Sequence, residues 1–76
     1  LVEDEFNIAK LFIYNLTKAG FNCEHANNAR EGLAQAHKNK PDLIISDVMM
    51  PEMDGFEFRK KLLEDKDLKS IPFVFL

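Results

Sequence analysis

In the run Asp42-Leu43-Ile44-Ile45, with Pro41 before it and Asp47 just beyond, the apolar residues Leu43, Ile44 and Ile45 follow one another with no polar residue between them. Such a run marks a strand covered on both faces, which is the condition of parallel sheets. Parallel strands cannot be joined by hairpins and need crossover segments between them. The rest of the chain supplies such segments.

"LV" at 1–2 reads as the tail of a first strand that delivers Glu3 and Asp4. From about Phe6 to Ala19, Ile8, Leu11, Phe12, Leu16 and Ala19 recur at helical spacing, and Gly20 follows as a helix-ending glycine. "FNCEHA", 21–26, alternates Phe21 and Cys23 with polar neighbours and predicts a short, half-exposed strand with Cys23 in the core. Asn28 with Glu31 has the spacing of a capping box, opening a helix whose face carries Leu33 and Ala36. Gly32 weakens that helix, and Pro41 lies beyond its end. Asp54 with Glu57 repeats the capping pattern before a helix that buries Phe58 and Leu62 and fades in "EDKDLKS", read as a solvated helix end. "IPFVFL" closes the chain as a strand, with Pro72 at its start, where a missing N–H matters least.

The predicted order is strand, helix, strand, helix, strand, helix, strand. Regular alternation with short connections implies an α/β fold with parallel strands and right-handed crossovers. At 76 residues this is at most one small domain, burying about 60% of the surface its unfolded chain would expose. The chain begins at "LV" and stops within "PFVFL", both apolar and strand-like, whereas domain boundaries usually fall in polar segments. The expectation is a piece of a longer chain.

A net charge of −3 without a basic run gives no electrostatic footprint for direct nucleic-acid binding. No apolar run reaches membrane-spanning length. The lone Cys23 cannot form an internal disulfide, which fits a reducing cytoplasm. His25 and His37 have no partners at metal-ligand spacing.

The acids are the informative residues. In an open parallel sheet, ligands bind beyond the carboxyl ends of the strands, where strand order reverses. Glu3 and Asp4 leave the first strand at that edge, and Asp47 leaves the third. If those strands are neighbours, three carboxylates converge, and a hard divalent cation with oxygen ligands relieves their repulsion. Alone, Asp47 would read as a turn residue and Glu3–Asp4 as a solvated pair at a helix start. Asp54 reads as a cap, and Met49, Met50 and Met53 as loop or packing residues.

"VEDE" at 2–5, "PDLIISDVMMPEMDG" at 41–55 and the final "IPFVFL" together resemble the receiver domain of bacterial two-component response regulators. The resemblance runs through the whole chain and makes residues 1–76 part of a receiver domain of about 120 residues. It implies a flavodoxin-like parallel sheet with helices on both faces, (βα)5 in the intact domain, in strand order 2-1-3-4-5. It also implies that Asp47 is the phosphoacceptor for a sensor histidine kinase or phosphotransfer protein. Asp4 and Asp47 would bind Mg²⁺, Glu3 mainly through water, and Met49 through its backbone carbonyl. Asp47 itself is expected to be exposed at the strand's end, with Pro51 and Gly55 shaping the loop after it. The family's Ser or Thr after the fourth strand, its switch aromatic and its Lys after the fifth are expected beyond residue 76. Further implied features are cytoplasmic location, an output domain in the parent chain and room for a homodimer.

"NNAREGL" departs from the family's habit, with Ala29 and Gly32 where Gly and Ala are usual. Two other classes share part of the pattern. A Mg²⁺-dependent phosphohydrolase with an aspartate nucleophile would carry a second acid two residues on, where this chain has Met49. A pseudo-receiver would bind proteins without phosphorylation and would not need all three acids. A calcium loop fails, because Val48, Met49 and Met50 replace its alternating oxygen ligands.

Overall fold

The computed structural model describes all of residues 1–76. Three helices form: α1 (Phe6–Lys18), α2 (Ala29–Asn39) and α3 (Gly55–Glu64). Two three-residue strands, β1 (Ile44–Ser46) and β2 (Phe73–Phe75), pair in parallel with Ile44 opposite Phe73 and Ser46 opposite Phe75. None of the helices is long and apolar enough to cross a membrane.

The helix ends follow their sequence signals. Asn28 Oδ1 accepts from Glu31 N–H at 2.9 Å, and Asp54 Oδ1 accepts from Glu57 N–H at 2.9 Å. Each satisfies a donor that the first helical turn leaves free. Gly20, just past α1, has φ +99°, a conformation open to glycine and costly for other residues. At the end of α2 the same left-handed slot is filled by Lys40, with φ 43°.

The first two expected strands are shorter than their sequences suggest. Val2 makes isolated parallel bridges to Ala26 on one side and to Ser46 on the other. Its neighbours contribute hydrogen bonds from Val2 N to Ile45 O, Asp47 N to Val2 O and Glu3 N to Ala26 O, at 2.8, 3.0 and 3.0 Å. The segment 21–26 is therefore a strand at one residue only. The chain bends at Asp4 after Val2 and turns into α2 after Ala26, so the ladder cannot extend at that end. The spatial order is nevertheless complete: Ala26, Val2, β1, β2, all parallel. Val2 sits where the order reverses.

One face of this sheet carries the core. Val2, Ala26, Ala29, Ala36, Ile44, Phe58, Leu62 and Leu68 form a single buried cluster, with Leu33, Met50, Met53, Ile71 and Phe73 packed against it. Phe58 is completely buried and meets Phe73 edge-on at 5.7 Å between ring centroids. Gly32 is what lets α2 come this close. A methyl group there would lie 2.7 Å from Val2 Cγ2 and 3.1 Å from Phe58 Cζ. The glycine that weakens α2 by propensity is thus needed for packing.

Three sequence expectations about burial need correcting. Phe21 is exposed and Cys23 only half-buried, because a segment that bridges at one residue presents no continuous inner face. In α1 only Ala9 is buried, whereas Ile8, Leu11 and Ala19 are exposed and Phe12 and Leu16 half-buried. Conversely Leu68, inside the supposedly solvated "EDKDLKS", is 1% exposed. A turn in which both Leu68 and Lys69 donate N–H to Asp65 O folds it back onto the core.

Candidate functional site

Val2 is buried and pinned on both sides, so the two residues after it leave the sheet in a fixed direction. Asp47 leaves β1 one strand away, its N–H donated to Val2 O at 3.0 Å. The result is convergence. Carboxylate oxygens of Glu3, Asp4 and Asp47 all lie within 4.8 Å of one another. Sequence spacing alone required only that the strands be neighbours, and they are.

The three acids have different surroundings. Glu3 is 1% exposed, Asp4 is exposed and Asp47 is half-buried, less open than its strand-end position suggested. Burial pushes the Glu3 carboxyl above its ordinary range. A hydrogen bond from Glu5 N–H to Glu3 Oε2, 3.1 Å, partly offsets this, while the Asp47 charge and hydrogen bonding with Asp4 and Asp47 push further upward. No lysine or arginine forms an ion pair with any of the three acids. Buried and crowded negative charge without a counter-cation is the donor set that a hard, oxygen-seeking divalent ion fits.

Asp47 is held as well as placed. Its Oδ1 accepts from Val48 N–H at 2.8 Å, and Ser46 Oγ–H donates to its backbone carbonyl at 2.9 Å. The loop that follows closes on itself, with Gly55 N–H donating to Val48 O at 2.8 Å. A Cβ at Gly55 would run into the Asp47 carbonyl and lie 2.9 Å from Val48 Cα. Only glycine permits that closure. Within the loop, Met53 N–H donates to Pro51 O across Glu52, whose φ of 68° is a strained value for a non-glycine residue. Met50 and Met53 anchor the loop against the core.

Met49 is 79% exposed and its carbonyl takes no backbone hydrogen bond, leaving that oxygen free as a ligand. Asp54 caps α3 and does not join the acid cluster. His37 pairs instead with Asp65, Nε2 to Oδ2 at 2.9 Å, linking the last turn of α2 to the end of α3. His25 is the residue that sequence reading passed over. Its Nε2 lies 2.8 Å from the Glu3 carbonyl oxygen. The two are 22 positions apart, and no local pattern signals a contact created by strand order.

A family model described as the response regulator receiver domain matches residues 1–76. The chain is 43% identical, over all its 76 residues, to the "Probable transcriptional regulator ycf29" of Pyropia yezoensis, covering 34% of that protein. It is 42% identical over 66 residues (87% of the chain) to the alkaline phosphatase synthesis transcriptional regulatory protein PhoP of Bacillus subtilis, covering 28% of it. Among solved structures, the N-terminal domain of a response regulator receiver protein from Methanoculleus marisnigri superposes with a TM-score of 0.95 at 30% identity. That match spans 97% of this chain and 60% of the other. The chain therefore spans about a third of the length of each of these two curated relatives.

Proposed function

The chain belongs to the response regulator receiver domain family, and from that membership we propose that it accepts a phosphoryl group on Asp47 with the help of Mg²⁺. The observation that carries the reading is the convergence of Glu3, Asp4 and Asp47 within 4.8 Å at the point where strand order reverses.

Each residue has a separable part. Asp47 is the nucleophile: Val48 N–H occupies Oδ1, leaving the other carboxylate oxygen for attack on phosphorus. That oxygen forms the new P–O bond as the phosphohistidine P–N bond of the donor breaks, and the donor imidazole departs. Asp4, the exposed acid, would hold the cation directly, and the Met49 carbonyl would serve as a neutral ligand. Glu3, the buried acid, would supply negative charge to a bound cation and contact it mainly through water. A bound Mg²⁺ would offset the three negative charges and stabilise charge on the transferring phosphoryl group.

The donor is a sensor histidine kinase or a phosphotransfer protein, and the output lies elsewhere in the parent chain, as the transcriptional-regulator names of the relatives suggest. Phosphorylation then shifts a balance between two conformations that the output reads. The setting is the cytoplasm, where such kinases and their ATP are found.

The test is chemical. With Mg²⁺ and acetyl phosphate, the full protein should gain one base-labile phosphate on Asp47, located by mass spectrometry. Asp47→Asn should abolish it, since a carboxamide is a poor nucleophile. A phosphate mapped to serine or threonine would overturn the reading.

A further inference from the structure

We propose that His25 is a positioning residue for the acidic cluster, fixing the peptide that joins Glu3 to Asp4. The proposal rests on the cation-site reading above, and its observation is independent of that reading. The ladder between the Val2 and Ala26 segments ends with Glu3 N–H donating to Ala26 O at 3.0 Å. A further rung would have to donate to Glu3 O, but the partner segment turns away there and Asn28 caps α2. The imidazole of His25 reaches across in its place, Nε2 to Glu3 O at 2.8 Å.

A carbonyl oxygen can only accept, so Nε2 carries the proton and donates it. His25 is anchored in turn, since Gln35 Nε2–H on α2 donates to the His25 carbonyl at 3.1 Å. The peptide plane held by His25 contains Glu3 O and Asp4 N. Its orientation sets the last backbone angle of Glu3 and the first of Asp4, and so the direction in which the exposed Asp4 carboxylate is aimed. On the far side, Glu5 N–H donates to Glu3 Oε2 at 3.1 Å and closes the bend. Residues 3–5 are thus clamped at three points, two on the neighbouring 21–26 segment and one within the bend itself. Of the clamps, only the His25 contact is made by a side chain that is not an acid. Hydrogen bonds that orient metal ligands typically change affinity by about 10–100-fold when lost, and one acting through the ligand's backbone belongs at the lower end.

The experiment titrates MgCl₂ into the full chain and follows amide resonances, comparing wild type with His25→Phe, His25→Gln, Asp4→Asn and Asp47→Asn. Phenylalanine keeps a planar ring without the donor, and glutamine places an N–H close to where Nε2 stood. The expected result is a weakening of about fivefold to tenfold in His25→Phe. The Asp4 amide should also shift in metal-free His25→Phe. His25→Gln should return both to within about twofold of wild type, a rescue that a merely space-filling role would not give. Equal loss in both His25 variants, or no loss in either while Asp4→Asn binds weakly, overturns the proposal and leaves the site standing. Unchanged binding in Asp4→Asn and Asp47→Asn brings down the site reading and the proposal with it. If His25→Phe does not fold, the imidazole ¹⁵N shifts of the unmutated protein decide: an Nε2-protonated ring supports the proposal, and an Nδ1-protonated ring overturns it.

Discussion

Helices α1 and α2 are of similar length and both amphipathic, yet they live in different conditions. Helix α2 packs with α3 over the sheet face that carries Val2 and Ile44, and buries Ala29, Gly32 and Ala36. Helix α1 buries Ala9 alone and leaves Phe6, Leu11 and Tyr14 more than 60% exposed. The opposite sheet face is correspondingly open, with Val74 half exposed. The contrast teaches that helical periodicity identifies a face and says nothing about what covers it. Stability is concentrated on the α2–α3 side. The acid cluster sits at the carboxyl edge of the sheet, fed by strands whose inner residues belong to that side.

The comparison can be broken most directly by truncating side chains on the packed α2–α3 side and on α1. Phe58→Ala should cost about 3–5 kcal/mol, because the ring is wholly buried among Val2, Gly32 and Phe73. Leu62→Ala on α3 should cost about 2–5 kcal/mol, whereas Leu11→Ala on α1 should cost less than about 1 kcal/mol. Denaturant melts measure all three. Equal losses at Leu62 and Leu11 would erase the distinction between the two sides.

A smaller change tests how the packed side reaches the site. Gly55→Ala should cost about 1–3 kcal/mol by overpacking against the Asp47 and Val48 backbone, where no flexible side chain can yield. It should also weaken Mg²⁺ binding, because Asp47 must move with its carbonyl. An alanine variant with wild-type stability and affinity would mean the loop tolerates what the geometry forbids.

Glu3 tests the electrostatic cost of the site. Its folded carboxyl titrates above the unfolded value, so the protonated form favours folding. That contribution is fully present below the ordinary glutamate range and is lost as pH rises through the folded value. Without metal, Glu3→Gln should therefore be more stable than wild type at neutral pH, the gap closing in acid. Added Mg²⁺ should reverse the order by stabilising wild type more. Thermal melts at two pH values, with EDTA or with Mg²⁺, give the answer. A pH-independent difference would remove the charge repulsion from the account.

The least effect is expected at the end of α2, where Lys40→Gly should stabilise by about 0.5–1 kcal/mol by relieving the left-handed φ of 43°. A destabilised variant would show that the lysine side chain contributes more than its backbone costs.

Much of this was legible in the residues themselves. Caps at Asn28 and Asp54, the turn at Gly20 and the element order follow from local chemistry, which a sequence displays directly. The meeting of Glu3, Asp4 and Asp47 needed one non-local assumption, that their strands are neighbours, and the family resemblance supplied it. What stayed hidden was non-local throughout. Leu68 is buried by a turn whose charged residues give no periodic signal. Gly32 reads as a defect until Phe58 and Val2 are brought against it. His25 has no neighbour in sequence that could announce its bond to Glu3.

Asp54-Gly55 is also a dipeptide prone to spontaneous ageing, in which the glycine nitrogen attacks the aspartate side chain, forms a succinimide with loss of water, and on hydrolysis leaves isoaspartate. In this fold both reactants are engaged. Gly55 N–H is donated to Val48 O at 2.8 Å, and Asp54 Oδ1 holds Glu57 N–H at 2.9 Å. The reaction must wait for the loop to open, an event governed by local unfolding and not by the chemistry of the dipeptide. Isoaspartate at position 54 would thus accumulate as a slow record of how long the loop beside Asp47 has spent open.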